Sequence, residues 1–279
     1  MDKICEILTE EFKLAPQQVE NTVALIDDGN TIPFIARYRK EKTGSLSDDV
    51  LRDLYARLTA LRALAEKRAD IIRLIDEQGK LTDELRAQLE AAKTRTELDD
   101  IYRPYRPKRR TRATIAKEKG LEPLAMLLLA QKSGEDLEGA AAEYINEEKE
   151  VLTAADALDG ACDIIAEMLS DNADARRVIR SLTLANAAIS TSAAKDEDSV
   201  YSGYYDFSEP LSKLANHRIL AINRGEKDGF LSVKLTLDEE LCTGYLRRHL
   251  IKNPAAPAKA YLERTVEDSY SRLIAPSVE

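Results

Sequence analysis

Arginine and tyrosine interleave along residues 102–112, in the run YRPYRPKRRTR. A guanidinium grips phosphate through a planar fork of donors and stacks on flat groups. A tyrosine beside it offers a ring face to a nucleic-acid base. Such a run could therefore hold an anionic, base-bearing chain. RYRK at 37–40 repeats the pattern on a smaller scale. The candidate contact residues are Arg37, Arg39 and Lys40 in the short segment. In the long segment they are Arg103, Arg106, Lys108, Arg109, Arg110, Arg112 and Lys117. A structural role competes with this one, in which the same cations bridge to carboxylates and lock helical layers together. The charge distribution keeps both readings open. The chain of 279 residues carries a net charge of −9. Residues 103–119 hold eight basic residues and one acid, a local +7 that leaves −16 for the remainder. Residues 135–174 then hold thirteen acids against the single base Lys149.

Catalytic chemistry is harder to assemble. The sequence has no phosphate-binding glycine loop, no HExxH and no GxSxG. Its two histidines, His217 and His249, lack neighbours at metal-ligand spacing. Cys5, Cys162 and Cys242 are odd in number and far apart, which suits buried thiols in a reducing compartment. The expectation is a non-enzymatic protein that needs neither metal nor organic cofactor. No apolar run reaches membrane-spanning length, and the opening MDKICEILTEEF is too acidic for a secretory leader. These features point to the cytoplasm and to no membrane partner.

The elements that must position the basic segments read as helices. Ala, Leu, Glu, Lys and Arg dominate and aromatic residues are only 5%. Helices are expected at 3–12 and 16–28, with a further turn behind Pro33. Ser47 opens a long helix with Leu51, Leu54, Leu58, Leu61, Ala65, Ile72 and Ile75 on one stripe, interrupted at Arg68. Thr82 caps a second helix that folds back on it. Pro104 and Pro107 forbid helix through 102–110, so that stretch is an extended connector. A short helix at 112–119, an apolar one after Pro123, and others at 138–146, 154–169 and 172–192 follow. Residues 194–209 read as a loop. Residues 217–237 alternate around Gly225 and Gly229 and predict a β-hairpin. Helices at 239–252 and 257–274 close the chain. The expected fold is mainly α, in two helical layers or subdomains with one small β-hairpin near 217–237. The domains are placed at 1–192 and 193–279, with a soft boundary near 193–215.

Several long motifs carry a family likeness. They are TIPFIARYRKEKTG, LRDLYARL, IYRPYRPKRRTRATIAKEKGLEPLA, YYDFSEPLSKLANHRILAINRGEKDGFL and VEDSYSRLIAPSVE. Together they strongly resemble the Tex family of bacterial transcription accessory proteins, over essentially the whole chain. The resemblance implies a longer protein, in which an RNase-H-like domain, helix-hairpin-helix elements and an OB-fold RNA-binding domain follow the helical region. This chain would be the N-terminal helical part. The resemblance also implies a role in transcription and a nucleic-acid partner, RNA above all, held mainly through domains beyond Glu279. The function expected is a non-catalytic helical scaffold of a nucleic-acid-associated transcription accessory protein. The alternative is a protein-interaction module that docks RNA polymerase, ribosome or other factors through its acidic helices.

Overall fold

A computed structural model describes residues 2–278. The fold is mainly α, with one small three-stranded antiparallel sheet. The chain divides into two compact units, one ending at Tyr102 and one beginning at Arg103. The boundary expected near 193–215 lies inside the second.

The first unit holds α1 (Lys3–Phe12), α2 (Pro16–Asp27), α3 (Ile32–Tyr38), α4 (Lys40–Thr43), α5 (Asp48–Asp76), α6 (Asp83–Ala91) and α7 (Arg95–Tyr102). Ser47 and Thr82 cap α5 and α6 by accepting from the amides of Val50 and Leu85. Each satisfies one of the free donors of a helix start. The buried stripe of α5 is Leu51, Leu54, Leu58, Leu61, Leu64, Ile71 and Ile75. It differs from the expected one at Leu64 and Ile71, which replace Ala65 and Ile72. Ala65 and Ile72, one position later, are half-buried and lie at the edge of the stripe. Arg68, the break in that stripe, donates to the carbonyls of Leu89 (2.9 Å) and Ala92 (2.8 Å) at the end of α6. It satisfies helix-end acceptors that would otherwise lack partners. Cys5, Leu8, Val19 and Val23 pack on Leu54, Leu58 and Leu61, while Leu25, Ile35 and Leu51 form a neighbouring cluster.

The second unit is built around α11 (Ala154–Asp171). Ahead of it lie α8 (Arg112–Glu118), α9 (Glu122–Ala130) and α10 (Leu137–Ala142). Their Ala113, Leu121, Leu124, Leu128 and Ala141 pack on Leu158, Ala161, Ile164 and Ile165. After it come α12 (Ala173–Asn186), the strands β1 (Ala188–Ala193) and β2 (Asp206–Pro210), α13 (Asn216–Lys227) and β3 (Leu231–Thr236). Next are α14 (Glu239–Leu250) and α15 (Lys259–Asp268), and the latter runs into a π-helical turn over Ser269–Ile274 and α16 (Ala275–Val278). A second core joins Leu169, Ala175 and Ile179 to Cys242, Leu246, Val266, Tyr270 and Ile274.

The sheet corrects the expected hairpin at 217–237. Its strand order is β2-β1-β3, with β1 central, so β3 pairs with residues 188–193 rather than with 217–224. Residues 216–227 are helix, and Gly229 ends that helix instead of turning a hairpin. Gly229 sits at φ +74°. The amide of Phe230 bonds the carbonyl of Gly225 (2.9 Å) and that of Gly229 bonds the carbonyl of Glu226 (2.9 Å). This is the paired helix-stop bonding that favours glycine in a left-handed conformation. Gly225 is small for another reason. A Cβ there would lie 2.5 Å from Leu231 Cδ1, so its absence lets β3 close on α13. The helix expected to reach 192 stops at Asn186, and Ile189 and Thr191 turn inward from β1.

Candidate nucleic-acid interface

The two basic segments fall in different units, and each is built locally. In the second unit the connector begins with a 3-10 turn at Arg103–Tyr105 and runs without regular structure to Thr111. Thr111 then opens α8. Its hydroxyl accepts from the amide of Thr114 (3.1 Å), and the Thr114 hydroxyl accepts from the amide of Thr111 (2.6 Å). This reciprocal pair fixes where the loop ends and the helix starts.

The connector's cations divide between two roles. Glu167 and Asp171 stand one turn apart on α11 and face the connector. Lys108 donates to Asp171 and lies 3.5 Å from Glu167 Oε2. Arg103 Nε lies 3.3 Å from Asp171 Oδ1. The Lys108 side chain is 25% exposed and that of Asp171 only 12%, so this clamp is largely shielded from water. Arg106, Arg109, Arg110, Arg112 and Lys117 are exposed instead. Arg110 meets Glu118 at 3.1 Å and Lys117 meets Glu122 at 3.6 Å, both in open solvent where such pairs are weak. Arg112 stands at a cleft of about 270 Å³ that Asp159, Asp163, Arg264 and Asp268 also line. Burial pushes the Asp163 carboxyl up, against the opposing pull of Arg272 and Arg112.

In the first unit RYRK lies at the end of α3 and the start of α4. Ile35 is fully buried and anchors α3. Arg37 and Lys40 are exposed, and neither forms an ion pair among the described residues. Tyr38 belongs to the RYRK pattern, whereas Phe34 is less legible in the sequence. Phe34 and Tyr38 lie one turn apart on the outer face, with ring centroids 5.3 Å apart. Tyr38 is 62% exposed and Phe34 36%. The Arg39 guanidinium carbon sits 5.1 Å from the centre of the Phe34 ring. The i, i+4 spacing of the two rings, out of step with Ile35, is the signal that marks them. Beside them a groove of about 510 Å³ opens between the α2–α3 turn and α5, with Tyr55 and Arg52 among its lining.

No cluster of three or more metal-ligating side chains occurs among the described residues. No helix among them is long and apolar enough to cross a membrane.

A helical body with two exposed cationic surfaces is thus the class that fold and site define. The chain belongs to the Tex-like family: residues 2–76 match the Tex-like protein N-terminal domain and residues 132–279 the Tex central region-like model. It is 44% identical over 235 residues to a transcriptional accessory protein Tex of Neisseria gonorrhoeae, covering 83% of this chain and 31% of that protein. It is 45% identical over 242 residues to the protein tex of Bordetella pertussis, covering 86% and 30% respectively. A human S1 RNA-binding domain-containing protein 1 is 32% identical over 290 residues, covering 97% of this chain and 28% of its own length. The chain therefore spans about a third of the relatives it matches.

Proposed function

We propose that the chain is the non-catalytic helical platform of a transcription accessory protein that works on nucleic acid in the cytoplasm, RNA above all. The names of the relatives support a link to transcription and RNA. The observation that carries the reading to particular residues is the division of the connector's cations. Arg103 and Lys108 pin the loop to α11, and the pinned loop carries the exposed Arg109 and Arg110 on a short, proline-stiffened path that leads to the exposed Arg112 at the start of α8. Fixed, outward guanidinium groups bind phosphate without reading sequence, which positions a strand.

The test is the double substitution R109E/R110E in the 279-residue chain. Melting should stay within about 1 °C of the parent, because exposed charges contribute little to stability. Affinity for labelled RNA should fall by a similar factor for unrelated sequences. The slope of log affinity against log salt should shrink by about 1.4, from two lost phosphate contacts at roughly 0.7 each. Unchanged affinity would remove the connector from the interface.

A second reading has its own observation. Ile145 and Leu152 are 46% and 64% exposed beside Glu147, Glu148 and Glu150. An acidic surface with exposed apolar residues suits docking to a basic protein such as RNA polymerase or a ribosomal component. Co-purification that survives nuclease treatment and is lost on Leu152→Ser would favour it.

A further inference from the structure

We propose that the outer face of α3 is a base-stacking site for single-stranded nucleic acid, separate from the connector. The proposal rests on the reading that the chain associates with nucleic acid, and it names the form of nucleic acid the first unit would take.

Ile35, with the half-buried Ile32 and Ala36, seats the short helix, and Phe34 and Tyr38 are left on its outer face. The rings lie side by side on one helix face with centroids 5.3 Å apart and an interplanar angle of 44°. Arg39 covers the Phe34 ring from one side and is thereby held close to the platform. Tyr38 keeps most of its surface open. Arg37 and Lys40 flank the rings and have no carboxylate partner among the described residues. Rings and cations thus alternate over one turn, as bases and phosphates alternate along a strand.

The charge selects the occupant. Residues 37–42 carry four cations and one acid, so an anionic ligand is favoured over an acid-poor peptide. The rings select its form. In a duplex the base faces are hidden inside the stack, and only an unpaired base can lay its face on a side chain. Stacking of this kind tolerates any base, because every base has a π face.

The chain contains no tryptophan, so Tyr38→Trp places a single indole reporter on the platform. Its emission should be quenched by a 12-nucleotide oligouridine RNA and left unchanged by an RNA duplex of equal length. In parallel, F34L/Y38L should weaken oligouridine binding by at least about tenfold, the size expected for lost stacking. Its circular dichroism and melting should match the parent, and its salt slope should be unchanged. R37Q/K40Q should instead flatten that slope by about 1.4. Full oligouridine affinity in F34L/Y38L, an unquenched indole, or equal quenching by duplex overturns the stacking site. In those cases binding that is still sensitive to R109E/R110E leaves the connector reading intact. Absence of any RNA binding by the parent chain overturns both. Loss of a protein partner by F34L/Y38L with RNA affinity intact also overturns it, and makes the face a protein dock.

Discussion

The connector and the α3 segment have the same composition, arginine and lysine interleaved with tyrosine, yet they turn opposite parts inward. In the connector Tyr105 is half-buried, and two of the cations are drawn down onto α11. On α3 the rings stay out and an isoleucine goes in. The difference comes from what each segment packs against. The connector lies across a helix that presents Glu167 and Asp171 one turn apart, a ready partner for cations. α3 lies on Leu25 and Leu51, a wholly apolar seat that accepts only an apolar residue. Residue type alone does not decide which member of an Arg–Tyr pair reaches solvent. The facing surface does.

The largest effect is expected at the α3 seat. Ile35→Ala removes a fully buried side chain and leaves a cavity against Leu25 and Leu51. The cost should be about 3 kcal/mol, within the usual range for such truncations. Urea unfolding followed by circular dichroism would measure it. Phe34→Ala, one residue away but outward, should change stability by less than about 0.5 kcal/mol. Equal costs at the two positions would erase the inward–outward contrast on which the comparison stands.

The connector's anchor comes next. Asp171→Ala removes the carboxylate that Lys108 donates to and that lies 3.3 Å from Arg103 Nε, on side chains 25% and 32% exposed. Loss of hydrogen-bonded charge contacts of this kind costs about 2 kcal/mol. That should lower the melting temperature by about 5 °C for a unit of this size. It should also expose residues 103–111 to trypsin, since the loop has no ladder of backbone bonds to hold it. A variant that melts like the parent and resists trypsin would show the clamp to be incidental.

Much of this was legible beforehand, for reasons visible in single residues. Ser47, Thr82 and Thr111 announce helix starts through their own hydroxyls, a local signal. Pro104 and Pro107 announce the connector. What was not legible depends on distant partners. Lys108 meets an aspartate 63 positions later, so no window around the connector reveals which cations turn inward. The misread hairpin has a similar origin. Asp228-Gly229 before a β-branched run suits a turn between strands and a helix stop equally well. Only the presence of β1, a short segment that extends the apolar rhythm of α12, decides between them by offering β3 another partner. Of the two rings on α3, Tyr38 was legible in RYRK, and Phe34 was missed for a simpler reason: it reads as core wherever it is met without its seat.

The control for the clamp comes last, from ion pairs of the same chemistry left in water. Arg57 holds Glu11 through two hydrogen bonds of 2.7 and 2.6 Å, tying α5 to α1. Arg62 holds Asp27 through two of 2.6 and 2.8 Å, tying α5 to α2. These guanidinium bonds keep both carboxyls below the usual carboxylate range. A carboxyl whose folded pKa is depressed adds stability above its unfolded pKa and loses it as pH falls through the folded value. The unfolded values are about 4.3 for Glu and 3.9 for Asp. The contribution is therefore full at neutral pH and fades in acid. Its size is limited because all four side chains are 38–47% exposed, so each pair should be worth less than about 1 kcal/mol. The variant R57A/R62A should lie slightly below the parent at pH 7 and converge with it in acid, as pH falls below the unfolded values and through the lower folded ones. One molar salt should shrink its deficit, since exposed charges are screened over about 3 Å. The deficit of Asp171→Ala should survive the same salt, because its charges are mostly out of water. If both deficits shrink equally, burial does not distinguish the clamp from a surface pair, and the connector's inner cations are as free to meet a phosphate as its outer ones.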